Sequence, residues 1–183
     1  MIYYKKKLNI FIMMSLKKLI ILFSITFAFT YVNAEEYKSN YSENEFNVYS
    51  GMFDFSDDGK RSTLIGVQHQ NENLNRDTFF GNISPITGAL ITGDNASYIY
   101  TGIQAQYRIG NLNVTPSFTP GLYHEGDGKD LGHLVEFKSE VQISLDIFKN
   151  SELGFSYNHI SNASLGDKNP GANSYMFNFL KSF

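Results

Sequence analysis

The sequence predicts an all-β protein: an eight-stranded antiparallel transmembrane β-barrel that follows a cleaved signal peptide. Three observations carry this. Eight strand-like segments can be read, several of which clearly alternate polar and apolar side chains at period 2, and they approach the ~10 residues needed to cross a bilayer at a tilt. The more polar face of these segments carries charge, which suits a narrow barrel lining and not the core of a soluble sandwich. A basic and then apolar N-terminus ends in a small-residue cleavage site.

The N-terminus is read first. Lys17 and Lys18 form the basic region, Leu19 to Tyr31 is a 13-residue apolar stretch, and Val32-Asn33-Ala34 has the form of a signal-peptidase site. Met14-Ser15-Leu16-Lys17-Lys18 would also open an ordinary signal peptide. The division is therefore 1–34 as signal peptide and 35–183 as outer-membrane barrel. The apolar stretch is too short for a spanning helix. The chain has no Cys, which excludes a lipidated N-terminal Cys, disulfides and Cys–metal sites. All five basic residues of the first 34 leave with the signal, so 10 Lys+Arg face 18 Asp+Glu at a net charge of −8. No basic patch suggests nucleic acid. The mature chain keeps 12 Phe and 9 Tyr, dispersed at period 2 as a membrane barrel requires.

After a polar lead-in over 35–44, the expected strands are 45–53, 62–71, 83–92, 97–109, 112–124, 133–147, 152–161 and 174–183, each bounded by turn residues. In the fourth, Ile99, Thr101, Ile103, Ala105, Tyr107 and Ile109 share one face, and Tyr98, Tyr100, Gly102, Gln104, Gln106 and Arg108 the other. In the sixth, Val135, Phe137, Val141, Ile143, Leu145 and Ile147 oppose Glu136, Lys138, Glu140, Gln142, Ser144 and Asp146. The inward carboxylates, with Lys138 and Arg108, read as a polar plug and not as a pore. Gly110-Asn111 and the turn at Lys149-Asn150 are tight, whereas 54–61, 125–132 and 162–173 are long and rich in Gly and Asp. Short turns belong in the periplasm and long loops outside, so the seventh strand runs outward; the long 72–81 connection is an exception on the periplasmic side. Tyr175, Phe177, Phe179 and Phe183 alternate with polar residues up to the terminal Phe. This resembles the terminal signal of outer-membrane proteins read by the barrel-assembly machinery, although Lys181 interrupts the apolar face.

Candidate chemistry sits at the outer end of the seventh strand. His159 and Ser161 are two residues apart, so their side chains share a face, and that face continues through Leu153, Phe155 and Tyr157. A serine hydroxyl is a weak nucleophile until a base takes its proton, and a third group usually orients that base. The run His159-Ile160-Ser161-Asn162-Ala163, then Asn169-Pro170-Gly171, resembles the lipid A 3-O-deacylase (PagL) family. Gly121-Leu122-Tyr123, Asp130-Leu131-Gly132 and Glu136-Phe137 extend the resemblance over essentially the whole mature chain. It implies an eight-stranded outer-membrane barrel that acts as a Ser-His-Glu hydrolase and removes the 3-linked acyl chain of lipid A at the barrel's outer surface. By that resemblance Ser161 is the nucleophile, His159 the general base and Asn169 part of the oxyanion hole, with Asn162 supporting the pocket.

One position departs from the family. Its acidic third member falls 14 residues after the His, which here is Asn173. Strand parity turns Asn173 to the lipid face with His159, but an amide carries no charge. Three outcomes stay open: Asp167 swings in from the loop, Asn173 orients the His in a dyad, or activity is weak or lost. Parity points Glu140 inward. His124 and His133 flank an acidic loop whose spacing fits no known metal motif. No cofactor is implied. The expected partners are lipid A or lipopolysaccharide, the outer membrane and, during biogenesis, the assembly machinery; a homodimer is left open. The competing readings are a non-enzymatic or inactive structural barrel and an acyltransferase, which would need a second lipid as acceptor.

Overall fold

A computed structural model describes residues 44–79 and 81–183; the signal-peptide expectation lies outside them. Eight long strands follow one another: β1 Glu45–Phe53, β2 Ser62–Gln70, β3 Gly81–Thr92, β4 Ser97–Ala105, β5 Leu112–His124, β6 Val135–Phe148, β7 Ser151–Ser161 and β8 Ala172–Ser182. Each pairs antiparallel with the next. Pairing of β1 with β8, from Glu45↔Ser182 to Met52↔Tyr175, closes the sheet. Closure pairs each of the eight long strands on both sides, as a sheet in hydrocarbon requires.

The structure departs from the expected segments in three places. β4 breaks at Gln106 and resumes as Tyr107–Ile109. Between the Gln104↔Ser117 and Tyr107↔Val114 pairs stands Pro116, which has no N–H to give the ladder. The 72–81 connection is more ordered than expected: Glu72–Leu74 form a 3-10 turn, and Arg76–Thr78 pair back onto the start of β3. β8 begins at Ala172, so Asn173 lies inside the ladder, opposite His159.

The alternation sorts the faces as the sequence predicts. Ile99 is 65% exposed while its neighbours Tyr98 and Tyr100 are buried. On β6, Val141, Ile143 and Leu145 are exposed, and Glu136, Lys138, Gln142 and Ser144 are buried. Exposed apolar side chains on strand after strand form the outer belt of a membrane barrel. Inside, large tyrosines lie over glycines. A Cβ on Gly66 would come within 2.3 Å of the Tyr49 ring, one on Gly88 within 2.4 Å of Tyr100, and one on Gly121 within 2.6 Å of Tyr98. Lys138 is buried in an ion pair with Glu140 at 2.7 Å, with Nζ 4.1 Å from the Tyr100 ring centroid. Asn47 donates to Gln142 and Asn178, and Tyr49 and Tyr100 share a 3.0 Å hydroxyl contact. The interior is thus filled by interlocking polar and aromatic side chains. At the outer face of β8, Lys181 reaches the Lys149 carbonyl and Ser151 with its ammonium, so its stem covers the apolar belt while its charge sits at the turn.

Candidate functional site

β7 and β8 pair with His159 directly opposite Asn173. Their side chains meet on the outer wall: His159 Nδ1 lies 2.8 Å from Asn173 Oδ1. Tyr157, one pleat earlier on the same face, donates its hydroxyl to the same oxygen at 2.8 Å. The other end of the amide, Nδ2, donates to Ser56 Oγ at 3.1 Å.

Ser56 belongs to the β1–β2 loop, which is clamped onto β8. Phe55 N–H donates to the Asn173 carbonyl at 2.9 Å, Asn173 N–H donates to Asp54 Oδ1 at 3.3 Å, and Asp54 N–H donates to Ser174 Oγ at 3.4 Å. Asp54 is buried and has a left-handed φ of 48°, a conformation that costs a non-glycine residue of order 1–3 kcal/mol and persists only where its surroundings hold it. Lys129, from the β5–β6 loop, reaches Asp54 Oδ2 at 2.6 Å and Asp57 at 3.3 Å. The Gly59 N–H and then Lys129 hold the Asp57 carboxyl below the usual aspartate range.

The imidazole is also walled from the side of the Asn169-Pro170-Gly171 run. Gly171 has φ +63°, and a Cβ there would fall 2.7 Å from His159 Cε1 and 3.2 Å from Nε2. Only glycine allows both that backbone and that approach to the ring.

Ser161 ends β7 opposite Phe137. Among the described residues its hydroxyl has no hydrogen-bond partner. The chain then turns sharply, with Ala163 and Ser164 both left-handed at φ 52° and 66°. Asn162 holds this turn from its buried position. Its Nδ2 donates to the Leu131 and Lys168 carbonyls, each at 2.8 Å, and its Oδ1 accepts from Ser164 N–H at 2.9 Å. Its own N–H donates to Asn169 Oδ1 at 3.0 Å. That bond occupies the acceptor end of the exposed Asn169 amide and leaves the donor end turned elsewhere. The β5–β6 and β7–β8 loops lean on each other here. Asp130 and Lys168 pair at 2.5 Å, and Lys168, then the Gly132 N–H, holds the Asp130 carboxyl below its ordinary range.

Of the acids considered beside Asn173, Asp167 is exposed without a hydrogen bond or ion pair among the described residues, and Glu140 is turned inward to Lys138. His124 and His133 cap their own loops, accepting from Gly126 N–H and Val135 N–H. No group of three or more metal-binding side chains forms among the described residues. Strand parity put Tyr157 on the face of His159, but sequence reasoning gave it no part in the site and did not find Ser56, Asp54 and Lys129 as neighbours of the histidine. These three come from loops far away in sequence, and nothing in their local pattern links them to β7.

Among solved structures, the crystal structure of the outer membrane enzyme PagL is similar over 75% of this chain and 98% of its own, at 14% identity and a TM-score of 0.57. A de novo designed transmembrane β-barrel is similar over 78% of this chain and 96% of its own, at 9% identity and a TM-score of 0.53. At these identities both comparisons speak for the fold. No curated protein matches the chain. The family model for lipid A 3-O-deacylase (PagL) matches residues 65–182, well over half of the sequence, including the strands that carry His159, Ser161 and Asn173 and the loop that carries Asn169, and the chain belongs to that family of the bacterial outer membrane.

Proposed function

We propose that this protein is an outer-membrane esterase that removes an ester-linked acyl chain, the 3-linked one, from lipid A. The observation that carries this reading is the hydrogen bond between His159 Nδ1 and Asn173, two residues before a serine on the same outward face of a barrel of this family. In the reaction, Ser161 Oγ attacks the acyl carbonyl carbon while His159 Nε2 takes the hydroxyl proton. The C–O bond to the sugar breaks, and the proton passes to the departing alkoxide. Water then repeats the sequence on the acyl-serine, releasing the fatty acid and restoring Ser161. Asn169 Nδ2 is the donor to the oxyanion, a contribution typically of ~2.7–4 kcal/mol. Asn173 orients the imidazole but, being neutral, does not offset the charge of the imidazolium. Turnover is therefore slower than a carboxylate would give.

Lipid A incubated with the purified barrel in detergent, and read by mass spectrometry, tests this. Wild type loses one ester-linked acyl chain and Ser161→Ala loses none. Unchanged lipid A with folded wild-type protein overturns the reading. Asn173 itself favours the second reading, an inactive or structural barrel. Asn173→Glu separates the two: a rise in turnover supports a weakened hydrolase, and no turnover in either form supports the structural barrel. In the first reading residues 1–34 are removed on export, the barrel-assembly machinery inserts the mature chain, and cross-linking in membranes decides between monomer and homodimer.

A further inference from the structure

We infer that Asp54, acting through Ser56, fixes the orientation of the Asn173 amide and thereby the tautomer of His159. An amide has an acceptor end and a donor end of nearly the same shape, and a half-turn exchanges them. In the observed orientation Oδ1 faces His159 Nδ1, so the imidazole proton must sit on Nδ1 and the Nε2 lone pair is free. In the reversed orientation Nδ2 would donate to Nδ1, the proton would move to Nε2, and the base would be lost. The immediate neighbours do not choose between these states. The hydroxyls of Tyr157 and Ser56 can each donate or accept.

Asp54 breaks the tie. Its Oδ1 lies 3.5 Å from Ser56 Oγ, and a carboxylate only accepts. Ser56 therefore gives its proton to Asp54 and offers its lone pair to Asn173 Nδ2, which turns Oδ1 toward the histidine. Every donor in the chain then points the same way, from His159 to Asn173 to Ser56 to Asp54. The carboxylate is itself fixed, by Lys129 on Oδ2 and by the Asn173 N–H on Oδ1. A carboxylate in place of Asn173 would need no such device, because both of its oxygens accept. The amide makes a second tier of residues necessary. The stakes are large: an Asp→Asn change that installs the wrong tautomer lowers kcat by ~10⁴ in a serine protease.

Asp54 and Ser56 are positioning residues, and their catalytic consequence rests on the function proposed above. The tautomer does not, and it is the primary readout. The full-length barrel is labelled with ¹⁵N-histidine in detergent micelles, and His159 is assigned by loss of its signals in His159→Gln. At alkaline pH, where an imidazole carries a single proton, the expected wild-type spectrum is that of a ring protonated at Nδ1. Ser56→Ala, an exposed loop change that leaves the barrel intact, moves His159 toward the Nε2–H form, whereas Ser56→Thr keeps the wild-type spectrum. Asp54→Asn repeats the shift of Ser56→Ala. In the Asn173→Glu background Ser56→Ala no longer changes the tautomer. With active enzyme, Ser56→Ala lowers kcat tenfold or more at similar KM, and Ser56→Thr restores it. A wild-type ring protonated at Nε2, or an unchanged tautomer in Ser56→Ala, overturns the inference. If the tautomer responds while wild type hydrolyses nothing, the inference stands and the esterase reading falls.

Discussion

Replacing Gly171 by alanine tests whether the imidazole is held by its surroundings or merely lies near them. The new Cβ would stand 2.7 Å from His159 Cε1, 3.2 Å from Nε2 and 3.3 Å from the Ile160 carbonyl oxygen. Carbon atoms rest at roughly 3.5–4.0 Å from each other, so the ring must retreat by about 0.8 Å or the backbone must move. The backbone has little freedom, because Ile160 is paired to Lys138 on one side and Ala172 on the other. The ring therefore moves, and its hydrogen bond to Asn173 lengthens. A misplacement of about 1 Å can cost ~10²-fold in rate, so kcat should fall about 10- to 100-fold while KM changes little. The left-handed φ adds a stability cost of roughly 1–2 kcal/mol for any L side chain. Initial rates of acyl release in detergent measure the first effect, and the urea midpoint of the barrel the second. A folded Gly171→Ala protein with kcat within twofold of wild type would refute the reasoning.

Three further outcomes follow from the same structure. Lys138→Met leaves Glu140 without its buried partner and should cost roughly 3–5 kcal/mol in urea unfolding; adding Glu140→Leu should recover most of it, and additive losses would count against the buried pair. Asn162→Ala removes the partner of the Leu131 and Lys168 carbonyls, at about 1–3 kcal/mol for the buried Leu131 orphan, so amide exchange at Ser164 and Leu165 should accelerate at least tenfold. The Asp130 carboxyl has a folded pKa below its unfolded value of ~3.9; its linkage with Lys168 is therefore fully present above that value and is lost as pH falls through the lowered one. The Gly132 amide, which donates to Asp130, should report this as an NMR titration with its midpoint below the ordinary aspartate range, and Lys168→Gln should raise that midpoint.

Period-2 alternation was enough to read the barrel because a membrane barrel exposes its apolar face and charges its lining. Ile99 against Tyr98 and Val141 against Gln142 say the same thing in sequence and in structure. The break at Gln106 was hidden because its cause, Pro116, lies on the neighbouring strand. The nearness of His159 to Asn173 was accessible through parity, once the family spacing singled out residue 173. The clamp behind Asn173 was not. Asp54, Ser56 and Lys129 reach it through two loops whose closure depends on the whole barrel, and a buried aspartate with left-handed φ looks in sequence like any loop aspartate.

The tyrosines seated on glycines have a kinetic consequence. Tyr49, Tyr98 and Tyr100 pack against Gly66, Gly121 and Gly88 inside the barrel, while His159 meets Asn173 on its outer wall, so anything reacting at His159 and Ser161 would arrive and depart along the outer surface. Substrate, fatty acid and shortened lipid would all stay in the plane of the membrane. Turnover should then follow the mole fraction of substrate at the surface and not its bulk concentration. Diluting lipid A with inert detergent at constant total lipid A should slow the enzyme, as though substrate had been removed.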